Sequence, residues 1–156
     1  MDYLNVFLHA AGGKDDSDDL RPRKWGEVEW RKLLAATAAR PFRASEVVIQ
    51  RGVADRTLYF VAAGSLEVGV TYVDGVSMTP LARIVAGSVI GEQSFFDGHA
   101  RSASVWAVTD GELLALTYER FQSLAQGEPV LVLELLFALG RILSLRLRNT
   151  TLRVRR

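Results

Sequence analysis

Residues 91–102 read Gly91-Glu92-Gln93-Ser94-Phe95-Phe96-Asp97-Gly98-His99-Ala100-Arg101-Ser102. A glycine turn leading into a short helix presents amide N–H groups that have no intrahelical acceptor, and both those donors and the helix dipole favour an anion. Arg101, ten residues on, carries a planar guanidinium that stays protonated and matches phosphate geometry, and Ser102 adds a hydroxyl donor. Glu92 suits a different role, because an ionised carboxylate repels phosphate but accepts hydrogen bonds from sugar hydroxyls. Together these residues predict a site for a cyclic phosphate and its ribose rather than for an arbitrary anion.

The pattern Gly91-Glu92, a short helix, then Arg101-Ser102-Ala103 resembles the phosphate-binding cassette of cyclic nucleotide-binding domains. That module occurs in the bacterial catabolite activator family, protein kinase regulatory subunits and cyclic-nucleotide-gated channels. Upstream, Val47-Val48-Ile49-Gln50-Arg51-Gly52, Leu58-Tyr59-Phe60-Val61-Ala62-Ala63-Gly64 and Leu81-Ala82-Arg83-Ile84-Val85-Ala86-Gly87 resemble the family's strands and recurring glycines, in order. The likeness covers roughly residues 42 to 148. Gln93 stands where the family commonly has an apolar residue, and Ala100 where its eukaryotic branch often has proline; neither change removes a backbone donor.

Working outward, residues 42–117 carry short β-rich runs at 47–50, 57–62, 66–73, 77–85, 103–108 and 112–116, separated by glycine or aspartate turns. Asp74-Gly75 is a hairpin signal. Such spacing suits a sandwich, jelly roll or barrel, and the resemblance selects the jelly roll. Before it, Tyr3, Leu4, Phe7 and Leu8 share one helical face, which Gly12-Gly13 and the acidic run from Lys14 to Asp19 interrupt. A second helix is predicted over residues 25–39, ending before Pro41. These helices are expected to pack on the domain's flank; the alternative makes the first a docking face for a partner or membrane surface. After the strands a short helix is predicted over 118–126, then a long one from Val130 toward Leu152. Its stripe of Val132, Leu135, Leu136, Leu139, Ile142, Leu143 and Leu147 has helical spacing and is broader than one domain flank needs.

The expected class is therefore α+β, an antiparallel β jelly roll flanked by N-terminal helices and a long C-terminal helix. The expected division is a helical extension over 1–41, the jelly roll over 42–127 with the cassette at 90–103, and the long helix with a basic tail over 128–156.

Composition narrows the function classes. Apolar residues make up 49% of the 156 residues and charged residues 24%, so the chain can bury a core unaided. Nineteen basic against 18 acidic residues give a net charge of +1, which argues against nucleic-acid binding through overall charge, although the C-terminus is basic from Arg141 to Arg156. There is no cysteine, and His9 and His99 form no metal-ligand pattern, so thiolate chemistry is excluded and no metal or other cofactor is expected. No secretory signal is evident and a cytoplasmic location is the default expectation. No catalytic constellation accompanies the cassette, so an enzyme is not expected.

The resemblance implies a regulatory module that binds a cyclic nucleotide, cAMP first and cGMP second, through Gly91, Glu92, Gln93, Ser94, Arg101, Ser102 and Ala103. In the catabolite activator a threonine-serine pair on the dimer helix meets the adenine; Arg146 and Leu147 align there, making Arg146 a candidate to stack on the base, with Thr150 and Thr151 one turn further on. Arg101 is expected to face the ligand, so that its removal costs little stability. The long helix is expected to pair two copies and to signal to an effector protein that the sequence does not identify. The activator's helix-turn-helix has no counterpart before Arg156, so no built-in DNA reader is expected. The alternative is a degenerate domain that binds no nucleotide and serves as a dimerisation or protein-interaction module.

Overall fold

The computed structural model describes residues 2–10, 17–71 and 78–154. The chain opens with α1 (Tyr3–Ala10), whose Phe7 is fully buried. Phe7 stacks on Trp30 with ring centroids 5.1 Å apart and meets Phe60 edge-on at 6.2 Å. Tyr3 and Leu4 pack against the same core, and the Tyr3 hydroxyl donates to Glu112. The predicted apolar face thus points inward, which overturns the reading of α1 as a partner- or membrane-docking face. Gly12-Gly13 and the start of the acidic run lie outside the described residues.

Helix α2 (Glu27–Ala35) starts where the Glu29 side chain accepts from the Gly26 N–H, and it buries Trp30 and Leu33. It is shorter than the span predicted over 25–39. The Thr37 N–H and hydroxyl both donate to Leu34 O, closing the last turn, and strand β1 (Ala38–Phe42) follows at once. Alanine propensity favours helix in this stretch, but pairing with a neighbouring strand overrides it. Pro41 is tolerated because β1 lies at a sheet edge, where a missing N–H costs nothing.

Strands β2 (Val47–Ile49), β3 (Leu58–Ala63), β4 (Ser65–Thr71), β5 (Met78–Val85) and β6 (Val89–Ile90) follow, then helix α3 (Glu92–Asp97), β7 (Ser104–Ala107) and β8 (Gly111–Leu116). Among the described residues they form two four-stranded antiparallel sheets, β1-β8-β3-β6 and β2-β7-β4-β5, facing each other as in a jelly roll. The class expected from sequence is therefore the class observed. Two short strands, β1 and β6, went unread, since two or five residues carry little period-2 pattern. Strands β4 and β5 pair from Ser65↔Val85 to Thr71↔Met78; Asp74-Gly75 lies outside the described residues.

Alternation along β3 divides the apolar interior. Tyr59 and Val61 face the space between the sheets with Ile49, Leu66, Ile90 and Leu113, whereas Leu58, Phe60 and Ala62 face the helices with Phe7, Trp30 and Leu114. Helix α4 (Tyr118–Gly127), capped by the Thr117 hydroxyl accepting from the Arg120 N–H, leads into α5 (Pro129–Val154).

The stripe predicted on α5 turns mostly inward, with Leu147 the exception. Leu135, Leu139 and Ile142 are buried in the core with the helix-facing side of β3, and Val132 is buried as well, so they serve this chain's own interior. A second line, Val130, Leu133, Phe137 and Leu147, stands exposed, with Phe137 75% and Leu147 69% accessible.

Because Phe7 fills a fully enclosed position between α2 and β3, Phe7→Ala should destabilise the protein by about 3–5 kcal/mol. Val28→Ala, on the exposed side of α2, should stay within about 0.5 kcal/mol. Urea unfolding of both variants checks this.

Candidate functional site

Strand β6 delivers the chain to Gly91, which turns it with φ at +80° and precedes α3 without any side-chain cap. A β-carbon here would lie 2.6 Å from Arg101 Nη1 and 2.9 Å from Thr57 O, so the position excludes any side chain on steric as well as conformational grounds. The first intrahelical bond of α3 runs from the Phe95 N–H to Gly91 O, which leaves the amides of Glu92, Gln93 and Ser94 ahead of the bonded ladder. Phe95 anchors the helix, meeting Phe121 at 4.8 Å and Tyr118 at 6.0 Å. Arg56 fastens the other end, with its guanidinium 3.7 Å from the Tyr118 ring centroid and its N–H groups donating to Phe95 O and Phe96 O.

Arg101 is only 5% exposed. Its Nη1 donates to Gly91 O at 2.9 Å and its Nη2 to Thr57 O at 2.7 Å, with Asp55 Oδ2 at 3.5 Å. The expectation that Arg101 is dispensable for folding is therefore corrected. Truncating it would strip side-chain donors from two backbone carbonyls at a buried position, a loss of about 1–3 kcal/mol rather than the small cost of a surface replacement.

Glu92 is 8% exposed, and its Oε1 lies 2.8 Å from Arg146 Nη1. Arg146 reaches down from α5, and its Nε and Nη2 donate to Asp18 Oδ2 at 3.1 and 2.8 Å. Nη2 also donates to Ser88 Oγ and Val89 O. Burial by itself would lower the pKa of this guanidinium, but the Glu92 and Asp18 carboxylates outweigh it and raise the pKa, so the side chain stays charged. The Ser102 hydroxyl donates to Gln93 Oε1, joining the two ends of the cassette.

A cavity of about 560 Å³ opens over this arrangement. The residues expected from sequence to bind the nucleotide line it: Gly91, Glu92, Gln93, Ser94, Arg101, Ser102, Ala103 and Arg146. Leu147 does not line it, whereas Thr150 does. Apolar walls include Ile49, Val68, Ile84, Ile90 and Val105, and Ser17, Asp18, Arg83 and Asn149 add polar groups to the lining. Sequence reasoning missed Ser17 and Asp18. Asp18 stands 128 positions from Arg146, and no local pattern marks such a pair. Among the described residues no group of three or more histidines or carboxylates is placed to hold a metal ion, and no helix is long and apolar enough to cross a membrane.

Residues 39–128 match the profile of the family described as the cyclic nucleotide-binding domain. The chain belongs to that family. Among curated relatives of this cyclic nucleotide-binding domain, the cAMP-activated global transcriptional regulator Vfr of Pseudomonas aeruginosa is 32% identical over 127 residues, covering 79% of this chain and 57% of the relative. The chain thus spans a little over half the length of that protein. Among solved structures, the catabolite activator protein of Thermus thermophilus superposes with a TM-score of 0.72 at 31% identity, covering 85% of this chain and 60% of that one. A cyclic nucleotide-binding domain from Methylobacillus flagellatus superposes with a TM-score of 0.83 over 97% of this chain and 82% of that one; at 22% identity it supports the fold alone.

Asp55 offers a pH test of the support beneath the cassette. Burial raises its pKa, but the N–H and hydroxyl of Thr57 and the charge of Arg101 outweigh this and hold it below the ordinary carboxylate value. A depressed folded pKa contributes stability that is complete above the unfolded value of about 3.9 and fades as the pH falls through the folded one. Asp55→Asn should therefore be less stable than wild type at pH 7, with the gap closing below about pH 4. Urea midpoints across that range measure it.

Proposed function

We propose that the cavity binds a purine 3′,5′-cyclic monophosphate, cAMP before cGMP, and that the chain is a regulatory module that signals through movement of α5. The observation that carries this reading is the convergence on one cavity of three unladdered amides, the Arg101 guanidinium and the Glu92 carboxylate. Gly91, Gln93, Ser94 and Ala103 shape the phosphate end, where Arg101 and Ser102 supply charge and a hydroxyl. Glu92 takes the ribose 2′-hydroxyl. Arg146, bonded through its edges, keeps the face of its guanidinium for the base. The description of the Pseudomonas relative as cAMP-activated supports cAMP as the first choice. A cytoplasmic location, where such a messenger would be met, accompanies the reading. The module binds its ligand without transforming it. Its effector is another protein, which α5 addresses by differing in position between ligand-bound and ligand-free populations.

A second reading has its own observation. Arg101 already donates to Gly91 O and Thr57 O, and Glu92 already faces Arg146. A domain with those groups permanently committed would bind no nucleotide and serve as a dimerisation or interaction module. Calorimetry with cAMP, cGMP and AMP separates the two. The first reading expects both cyclic nucleotides to bind far more tightly than AMP, and Arg101→Ala to lose roughly 30-fold or more in affinity. Heat from none of the three at millimolar concentration would establish the second.

The exposed line on α5 supports assembly. Val130, Leu133 and Phe137 continue through Gly140 and Ser144 to Leu147, at alternating steps of three and four as in a two-stranded coiled coil. Leu133, Phe137, Gly140 and Ser144 also line a shallow groove along the helix. The proposed homodimer pairs these faces about a two-fold axis. Light scattering should report a dimer at micromolar concentration for wild type and a monomer for Phe137→Glu; a wild-type monomer at high micromolar concentration contradicts the pairing.

A further inference from the structure

The segment from Ser17 to Arg21 is remote from the cassette in sequence, yet it is riveted beside it. Arg141 Nη2 donates to Ser17 O at 2.8 Å and Nη1 to Asp19 O at 3.2 Å, tying the segment to α5. The Leu20 N–H donates to Gly87 O at 2.8 Å and the Ser88 hydroxyl to Asp18 O at 2.5 Å, tying it to the turn before β6. Leu20 is fully buried, and Gly87, with φ at +100°, lets the backbone pass where a β-carbon would strike Ala10 at 2.7 Å. The segment's carboxylate is thereby fixed in the cavity wall, where both Ser17 and Asp18 line the space.

What that fixed carboxylate does follows from how Arg146 divides its donors. Nε and Nη2, one edge of the fork, are spent on Asp18 Oδ2, and Nη2 also serves Ser88 Oγ and Val89 O. Only Nη1 reaches Glu92, at Oε1. Left to pair with Glu92 alone, a guanidinium would turn a full edge to both carboxylate oxygens, since the bidentate fork is its favoured geometry. Glu92 would then have little acceptor capacity left for a sugar. We propose that Asp18 is a positioning residue of the nucleotide site: by holding one edge of Arg146 it confines the guanidinium to Oε1 of Glu92 and leaves Oε2 to accept the ribose 2′-hydroxyl. This rests on the cyclic nucleotide reading above and deepens it, because selectivity for a ribonucleotide then depends on a residue of the N-terminal segment that acts through Arg146.

The test is calorimetry of wild type, Asp18→Asn, Arg146→Gln and the double variant, each with cAMP and 2′-deoxy-cAMP, with thermal melts confirming that each is folded. Wild type should prefer the ribonucleotide by about tenfold, the scale of one hydrogen bond to a charged acceptor. Asp18→Asn should lose most of that preference through weaker cAMP binding, with 2′-deoxy-cAMP nearly unchanged. In the Arg146→Gln background the Asp18 substitution should add nothing, because the group it positions is gone. A preference retained in Asp18→Asn, equal losses for both ligands, or an undiminished Asp18 effect without Arg146 would each overturn the proposal while leaving the nucleotide reading standing. Wild type binding neither ligand would overturn both.

Discussion

The guanidinium of Arg101 lies where a β-carbon on residue 91 would have to go, and its N–H groups close on the carbonyls of Gly91 and Thr57. That packing joins the turn before α3, the approach to β3 and the chain entering β7. The left-handed turn at Gly91 starts α3 at the cavity wall, where Glu92, Gln93 and Ser94 line the space, and Arg101 holds that turn through Gly91 O. Site and fold are consequently not separable at this point. A charge that the sequence marks as a ligand contact also satisfies backbone acceptors in a nearly water-free position, where leaving them unpaired is costly.

A second charged centre works on a longer scale. Arg146 connects α5, the cassette through Glu92, the N-terminal segment through Asp18 and the turn before β6 through Ser88. Two carboxylates around one guanidinium remove its isolation in a partly dry setting, since an unpaired charge there would be far more expensive. The arrangement makes the position of α5 electrostatically dependent on the residue proposed to read the sugar. On the proposed reading, a ligand that redistributes the hydrogen bonds of Glu92 would act on the helix as well, which is the differential contact a population shift requires.

Much of this was legible in the chain. The cassette was readable because its chemistry is local: donors, carboxylate, arginine and hydroxyl occur within a dozen residues, and all of them line one cavity. The long strands and α5 were readable from periodicity. Strand β1 was not, because the alanines of residues 38–39 favour helix until β8 offers a partner. The exposed line on α5 is not legible in the predicted stripe, Leu147 apart: Val130, Leu133 and Phe137 lie on the same helix as the buried residues, and only packing separates Leu139 from Phe137. Asp18 was unreadable in principle: it sits in an acidic run that looks solvated, and its partners come from the far end of the chain. The burial of Arg101 was missed for a related reason, since its acceptors are main-chain carbonyls, which every residue possesses.

The central claim, that a cyclic phosphate sits against the amides at the start of α3, is tested most directly by titrating 15N-labelled protein with cAMP and following the backbone amide resonances. The account expects the largest shifts at Glu92, Gln93 and Ser94 and at the side chain of Arg101, saturating together, with smaller shifts along α5 near Arg146. Resonances of residues 91–94 that stay fixed while cAMP binds elsewhere, or that stay fixed at millimolar cAMP, would contradict it.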